Sequence, residues 1–306
     1  MNDKGDIDSS LKIKFRDKSC FLQTDNLMSV SEARRIGNLG KIDVAFVMPY
    51  LTGIFPAYYK MPRKKMVMLG KKKKQSSLNY CFNVSKNLKA QYVIPYAVDI
   101  ASLGKNFYAN FIHNNNKLDL YKFLKKNKNM PKTLIMNPGN YIKLLPNKEI
   151  EKKITDYKFN AEELKKFRKK KLKQFTSVNL KEKKLEMLKK ETVIDSFVQT
   201  IKNGLNNISK INFKVILLIK FKNQRNFKIL INLKNKKITK NVKNDIEQKP
   251  ELAIFSEFYK IANLVSGKYP MNFMTFHNGS IICERESSTL SKNEKTFWNW
   301  IYNLSF

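Results

Sequence analysis

The chain has 306 residues, of which 42% are apolar, and its 60 basic and 25 acidic side chains give a net charge of +35. This apolar fraction is enough for a buried core, which excludes an intrinsically disordered chain. Only seven of the 60 basic residues are arginine, the side chain that reads phosphate and base edges in a bidentate manner. Nucleic-acid binding is therefore disfavoured, and the excess of lysine indicates a composition bias over the whole surface. Attraction of an anionic substrate stays open as an alternative.

Cysteine usage and hydropathy predict a cytoplasmic location. Cys20, Cys81 and Cys283 lie far apart and form no CxxC pair, which fits a reducing compartment. No apolar run is longer than that at residues 215–219, which is much shorter than the roughly 20 residues that a membrane span needs. The first ten residues are polar and acidic and contain no apolar stretch of a secretory signal. We expect a soluble protein without a membrane span.

The first part of the chain alternates strands with helices, which predicts an α/β fold. Ser29 or Ser31 is expected to cap the first helix and Gly37 to end it. The continuous apolar run at 42–50 predicts a buried strand. The remaining predicted elements are strands at 11–15, 20–25, 90–99 and 133–144, and helices at 72–88 and 118–126.

Residues 147–190 are highly charged and have apolar residues at helical intervals, which predicts a helical linker. After the linker, the pattern predicts an α+β unit. Its expected order is a helix at 193–205, strands at 211–221 and 226–240, a helix at 252–267, a hairpin at 271–285 and a last helix at 295–304. This order is similar to that of sterol-carrier-like domains. We therefore expect three regions, at 1–146, 147–190 and 191–306.

Four segments of the first part, in the correct order, resemble the CMP-N-acetylneuraminate (CMP-sialic acid) hydroxylase family. They are TDNL at 24–27, KIDVAFVMPYLTGIFPAYY at 41–59, YVIPYAVD at 92–99 with NFYANFIHNNN at 106–116, and LIMNPGNYIKL at 134–144. The resemblance covers about two fifths of the chain. It implies a partial metallo-β-lactamase-like αββα half, a layered sheet with helices, followed by the smaller α+β domain.

The same resemblance implies site residues. Asp25 stands where the family places an acidic metal ligand, but within this chain alone a turn or helix-capping role before Ser29 is the favoured interpretation, and metal binding is expected only with a partner half. Substrate contacts are expected from a loop and a strand end, at Thr52, Gly53, Phe55, Tyr96 and Asp99.

The chain lacks most ligands that a catalytic metal needs. Its two histidines are far apart, and we expect His113 to lie in an exposed loop and His277 in a hairpin turn. The sequence contains neither an HxHxDH turn nor the Cys and His pairs of a Rieske domain. No cofactor is expected in this chain alone, and zinc or iron would bind only if a complementary half supplied histidines.

Three functions remain open from the sequence. The first is a truncated or split metallo-β-lactamase-fold protein that modifies a sugar nucleotide or surface glycan with an N-terminal half encoded upstream. Such a pair would be a metal-dependent hydrolase or oxidoreductase, the chain would be inactive alone, and its sheet would leave one apolar face uncovered. The second is a non-catalytic binding or scaffold protein. The third, a lysine-rich nucleic-acid binder, requires a single basic face.

Overall fold

This computed structural model describes ten ranges of the chain. They are residues 10–24, 28–48, 55–97, 103–112, 115–127, 130–145, 150–154, 160–183, 189–267 and 281–304, except for residues 104–106, 222–224, 242–249 and 286–290 within them. The chain divides into two compact units. Unit 1 comprises residues 1–52, 67–101 and 110–164, and unit 2 comprises residues 53–66, 102–109 and 165–306. Two short segments that precede residue 146 thus belong to unit 2, and the predicted domain boundaries stay a prediction.

The core of unit 1 is a five-stranded sheet in the order β1-β2-β3-β4-β5. β1 and β2 form an antiparallel hairpin, and β2 to β5 run parallel. Buried parallel strands read as continuous apolar runs, which explains the sequences of β3 and β4. The strands are β1 (Leu11–Phe15), β2 (Lys18–Leu22), β3 (Val44–Val47), β4 (Tyr92–Pro95) and β5 (Lys132–Thr133).

Helices cover one face of this sheet, because parallel neighbours that follow one another in sequence need crossovers of the same hand. Phe21, Ala45 and Val93 point to this face from three adjacent strands and pack against Leu88 and Leu120 of two helices. The helices that contribute to this cluster are α1 (Val30–Asn38), α2 (Arg63–Leu88) and α4 (Lys117–Lys125), and the short α3 (Ala109–Ile112) precedes α4 in sequence.

The opposite face of the sheet is covered at one end by a two-stranded hairpin. Its strands are β6 (Tyr141–Leu144) and β7 (Ile150–Lys153), which pair antiparallel. Ile142 and Leu144 pack against a small cluster around Val44, Tyr92 and Ile94. This face therefore has a covered end near β4 and β5.

Helix α1 begins where the sequence predicts. Ser29 is the N-cap, its hydroxyl accepts from the Glu32 N–H, and the Glu32 carboxylate accepts from the Ser29 N–H, which completes a capping box. The helix ends at Asn38, so the prediction that Gly37 ends it is wrong. Gly37 serves a close crossing instead, because a Cβ there would lie 2.3 Å from the Asn87 carbonyl oxygen of α2.

Unit 2 contains a second five-stranded sheet, in the order β10-β9-β8-β11-β12. β8 and β11 are parallel, and the other neighbours are antiparallel. The strands are β8 (Lys214–Lys220), β9 (Phe227–Asn232), β10 (Lys237–Lys240), β11 (Leu252–Glu257) and β12 (Ile281–Arg285). The remaining helices are α5 (Ala161–Lys183), α6 (Lys190–Gly204), α7 (Phe258–Val265) and α8 (Lys292–Tyr302).

The core of unit 2 lies between this sheet and the apolar faces of α6, α7 and α8. Residues 252–257 form a strand, so the prediction that a helix begins at residue 252 is wrong. Alternate side chains of this segment are buried, which is the period of a strand, and Ala253 to Ser256 pair with neighbours on both sides. The α/β class predicted from the sequence is confirmed.

Candidate functional site

Most residues that the sequence nominated lie outside the described part of the chain. This applies to Asp25, Thr52, Gly53 and Asp99, and to His113 and His277. Their predicted roles stay predictions. Within the described residues, no group of three or more His, Cys, Asp or Glu side chains could hold a metal ion.

The two nominated aromatic residues that are described belong to different units. Phe55 is in unit 2 and precedes a cis proline, and its ring lies edge-on to Tyr59 with centroids 5.2 Å apart. Tyr96 is in unit 1, directly after β4, and its ring meets Phe46 at 6.2 Å in a T-shaped contact. Both rings take part in packing contacts within their own units.

A buried ion pair joins β12 to α8 in unit 2. The Arg285 guanidinium lies 2.9 Å from Glu294 Oε2, and both side chains are 3% exposed. The Tyr59 hydroxyl donates to Glu294 Oε1, and the Trp298 indole N–H lies 3.2 Å from the Tyr59 oxygen and 3.3 Å from the same carboxylate oxygen. Both oxygens of this buried carboxylate therefore have donors.

Backbone geometry brings Tyr59 to this pair. The Cys283 N–H donates to Tyr58 O, and the Lys60 N–H donates to Cys283 O, both at 2.8 Å. The segment thereby adds to the free side of β12 and places Tyr59 beside Arg285, whose guanidinium carbon lies 4.7 Å from the Tyr59 ring centroid. The rings of Tyr59 and Phe55 cover the cation, at 4.7 and 4.0 Å.

These buried groups are poorly suited to chemistry at neutral pH. Burial, with a further contribution from the Glu294 charge, raises the pKa of the Tyr59 hydroxyl and of the Cys283 thiol far above their ordinary values. A protonated thiol is a poor nucleophile, and the carboxylate is fully occupied. The arrangement holds β12, α8 and the 58–60 segment together. Sequence reasoning missed it, because an Arg at a strand end and a Glu in a first helical turn each read as surface residues.

Burial also affects one lysine of unit 1. Lys73 lies on α2 and is partly buried, and desolvation lowers the pKa of its ammonium group to about 7. Its neighbour Lys74 lies 3.7 Å from the Asp119 carboxylate at the first turn of α4. At neutral pH, Lys73 is thus partly uncharged.

A pocket of about 290 Å³ lies in unit 1 beside the end of α4 and the start of β5. Lys125 and Lys132, which line it, extend over the rings of Tyr121 and Tyr92 at 5.5 and 5.8 Å. In α/β sheets, ligands bind beyond the carboxyl ends of the strands, and this pocket is at the opposite end. The positive charge here complements the negative end of the α4 dipole, which is a structural role.

Three large apolar side chains are exposed on β1. Leu11, Ile13 and Phe15 are 52%, 47% and 68% exposed. They point to the face of the sheet opposite the helices. Leu11 and Ile13 lie opposite Leu22 and Cys20 of β2, and these pair in turn with β3 residues of the apolar cluster on that face. We call these three residues the β1 stripe. The sequence analysis expected an uncovered apolar sheet face only as a consequence of a split metallo-β-lactamase fold, and the exposed side chains observed here belong to the edge strand of a different sheet arrangement.

The other face of β1 is basic. Lys12 and Lys14 alternate with the stripe, and their cross-strand partners are Phe21 and Ser19. Lys14 is exposed, and the Lys12 ammonium donates to the Gly40 carbonyl at 3.2 Å. β1 is the first strand of its sheet and pairs with β2 alone among the residues that the structure describes. One edge strand thus combines an apolar face with a cationic face.

No family model and no curated protein matches the chain. Among solved structures, it is similar to sterol carrier protein 2 like 2 of Aedes aegypti, with a TM-score of 0.27 and 12% identity over 34% of this chain and 96% of that one. Sterol carrier protein-2 like-3 of the same organism has a TM-score of 0.27 and 7% identity over 35% and 97%. Sterol carrier protein 2 of Yarrowia lipolytica has a TM-score of 0.23 and 16% identity over 37% and 90%.

These comparisons place the chain in no family. At such scores the likeness carries no argument about what the protein binds, and the sterol-carrier-like character expected of residues 191–306 stays a prediction. Within the described part of the chain, no helix is long and apolar enough to cross a membrane.

The predicted relationship to CMP-N-acetylneuraminate hydroxylases is wrong. The structures to which the chain is similar are sterol carrier protein 2 domains rather than metallo-β-lactamase-fold proteins. The predicted function, a split protein of that fold acting on sugar nucleotides or glycans, is wrong for the same reason. The matched segments are apolar strands that end at Pro, and a Pro-Gly turn. Buried parallel strands read as apolar runs, and Pro and Gly are common turn residues, so these features occur in α/β sheets of many families.

Proposed function

We propose that the protein is a non-catalytic binding protein that holds a protein partner against the β1 stripe. The observation that carries the proposal is the exposure of Leu11, Ile13 and Phe15 together on one edge strand. Exposed apolar edges are avoided in soluble proteins unless they are covered, and contiguous apolar patches mark interaction surfaces. Fully burying one such side chain is worth about 1.5–3 kcal/mol, so a partner that covers all three gains several kcal/mol.

The chemistry of unit 2 supports a binding role over a catalytic one. Four of its buried ionisable groups, Arg285, Glu294, Tyr59 and Cys283, form one cluster in which they are paired with one another or held protonated. Their arrangement stabilises the fold and leaves no group poised for acid–base or nucleophilic work at this place.

Site-directed photo-crosslinking tests the proposal. A photoreactive residue replaces Phe15 in one variant and Leu39 in a matched control, since Leu39 of unit 1 is 69% exposed and lies outside the stripe. We expect one protein to be linked from position 15 and not from position 39. After that protein is identified and purified, its affinity for the Phe15→Ser chain should fall about tenfold, because roughly 1.4 kcal/mol of burial is lost. Leu39→Ser should leave the affinity unchanged.

Two results would contradict the proposal. One is equal adduct formation from positions 15 and 39. The other is a crosslinked protein that binds the Phe15→Ser chain as tightly as the unsubstituted chain, because contact at the stripe would then contribute nothing to binding.

A further inference from the structure

We infer that the partner contributes an extended segment that adds to β1 as a sixth strand of the unit 1 sheet, with apolar side chains alternating with acidic ones. This inference rests on the proposed function and names the chemistry of the partner. Its apolar side chains lie along Leu11, Ile13 and Phe15, and its carboxylates lie opposite Lys12 and Lys14.

The backbone of β1 supports strand addition. In its hairpin with β2, the antiparallel register runs from Leu11 opposite Leu22 to Phe15 opposite Lys18. In such a ladder, every second residue directs its N–H and C=O away from the partner strand. These groups on the outer side of β1 form a template for another extended chain, which is the usual mode of β-augmentation.

The side chains of β1 define what such a strand must carry. Successive residues of an added strand point to alternate faces of the sheet. One set meets the β1 stripe and must be apolar. The other set meets the ammonium groups of Lys12 and Lys14, where carboxylates are favoured and lysines are disfavoured. The net charge of +35 adds a long-range preference for an acidic segment.

A second copy of this chain is a poor occupant of the edge. If two β1 strands paired antiparallel about a two-fold axis at Ile13, Lys12 of each copy would lie opposite Lys14 of the other. Directly opposed like charges destabilise a strand pair. The same lysines that favour an acidic strand therefore oppose self-association.

An anionic membrane surface also fits less well. Membrane docking requires the inserted apolar side chains and the cations that meet the headgroups to face the same plane. Arg16 meets this condition, since its guanidinium lies 5.2 Å from the Phe15 ring centroid. Lys12 and Lys14 do not, because they project from the opposite face of the strand. A strand beside β1 contacts both faces at once.

Synthetic peptides test the inference on the full chain. In the first peptide valine alternates with glutamate, and in the second valine alternates with lysine. We expect the valine–glutamate peptide to bind at least about tenfold more tightly by fluorescence anisotropy, because two cross-strand charge pairs change sign. The variant with Lys12→Glu and Lys14→Glu should reverse this preference. The control with Lys71→Glu and Lys72→Glu, two exposed positions of α2, should keep it.

Methylation of the peptide backbone tests strand addition without any change to the protein. Two forms of the valine–glutamate peptide are N-methylated, one at the valine amides and the other at the glutamate amides. In an added strand, one of these sets donates to β1 and the other points away. One form should therefore lose binding and the other should keep it. Equal binding of both forms, or loss of both, overturns strand addition.

Other results overturn the inference in recognisable ways. Equal affinity for the valine–glutamate and valine–lysine peptides would contradict a preference for an acidic partner. Concentration-dependent dimers that Ile13→Lys abolishes indicate a second copy. Binding to vesicles of phosphatidylserine and phosphatidylcholine that Phe15→Ser abolishes, without peptide binding, indicates a membrane. If the crosslinked protein depends on Phe15 yet does not compete with the peptide, the proposed function stands and strand addition fails. If Phe15→Ser leaves that protein bound, the proposed function fails.

Discussion

The buried ion pair of unit 2 gives a quantitative prediction about stability. Replacing Arg285 with Met leaves the Glu294 carboxylate buried without its cation. Breaking such a pair costs about 3–5 kcal/mol of the free energy of unfolding, because an uncompensated charge remains in the core. Loss of the guanidinium above the Phe55 and Tyr59 rings, at 4.0 and 4.7 Å, acts in the same direction.

The partner substitutions complete a double-mutant cycle. We expect Glu294→Met alone to be similarly destabilising, since it removes the carboxylate that faces the Arg285 guanidinium and accepts from the Tyr59 hydroxyl. The chain with both Arg285→Met and Glu294→Met should recover most of the loss, because an apolar pair of similar volume is often as stable as an ion pair. The two single losses sum to at least about 6 kcal/mol, so recovery of most of that loss requires an interaction free energy above about 3 kcal/mol in magnitude.

Urea unfolding followed by the fluorescence of the two tryptophans measures each corner of the cycle. The neighbouring pair of Lys60 and Glu284 is a matched control. Their charged atoms lie 3.2 Å apart, but both side chains are 53% exposed. Glu284→Gln should cost less than about 1 kcal/mol. The reasoning is refuted if Arg285→Met costs no more than Glu284→Gln, or if the two Met substitutions are additive.

Three further predictions concern unit 1. Gly37→Ala should destabilise the chain by about 1–3 kcal/mol, because the new methyl group would clash with the Asn87 carbonyl. The control Ser76→Ala, at an exposed position of α2, should leave stability unchanged in the same urea assay. Ser29→Ala should cost about 1 kcal/mol through loss of the α1 cap, and no change would contradict the capping role. The pKa of Lys73 is lower in the folded chain than in the unfolded chain, so the unfolded chain binds more protons between about pH 7 and pH 10.5. The free energy of unfolding therefore rises with pH in this window. Below it, the destabilisation that results from burying the ammonium group is fully present. Lys73→Met should raise the free energy of unfolding at pH 6. It should also make the increase of stability between pH 7 and pH 10.5 less steep, by up to about 1.4 kcal/mol per pH unit. An unchanged pH profile of unfolding would refute the lowered pKa.

The parts of the fold that could be predicted from the sequence are those that depend on local patterns. The apolar runs that became β3 and β4, and the Ser29 cap, follow from rules that operate within a few residues. Residues 252–257 were assigned wrongly because a short apolar segment fits a helix or a strand equally well. Pairing with β8 and β12 decides between them, and these strands are distant in sequence.

The candidate site was less accessible to sequence reasoning. The alternation in LKIKF predicted a strand, but only the sheet order shows that it is an edge with an uncovered apolar side. The uncovered face was derived from a family assignment that is wrong, and its presence is explained by the five-stranded sheet alone. The Tyr59–Glu294 contact joins residues 235 positions apart, and neither residue has a local signal for it.

Amide hydrogen exchange, read residue by residue, tests the binding account most directly. With the valine–glutamate peptide added, the account predicts slower exchange at alternate amides within Leu11–Phe15 and no change in β10, the edge strand of the other sheet. Unchanged exchange throughout β1, or equal protection of β10, would contradict it.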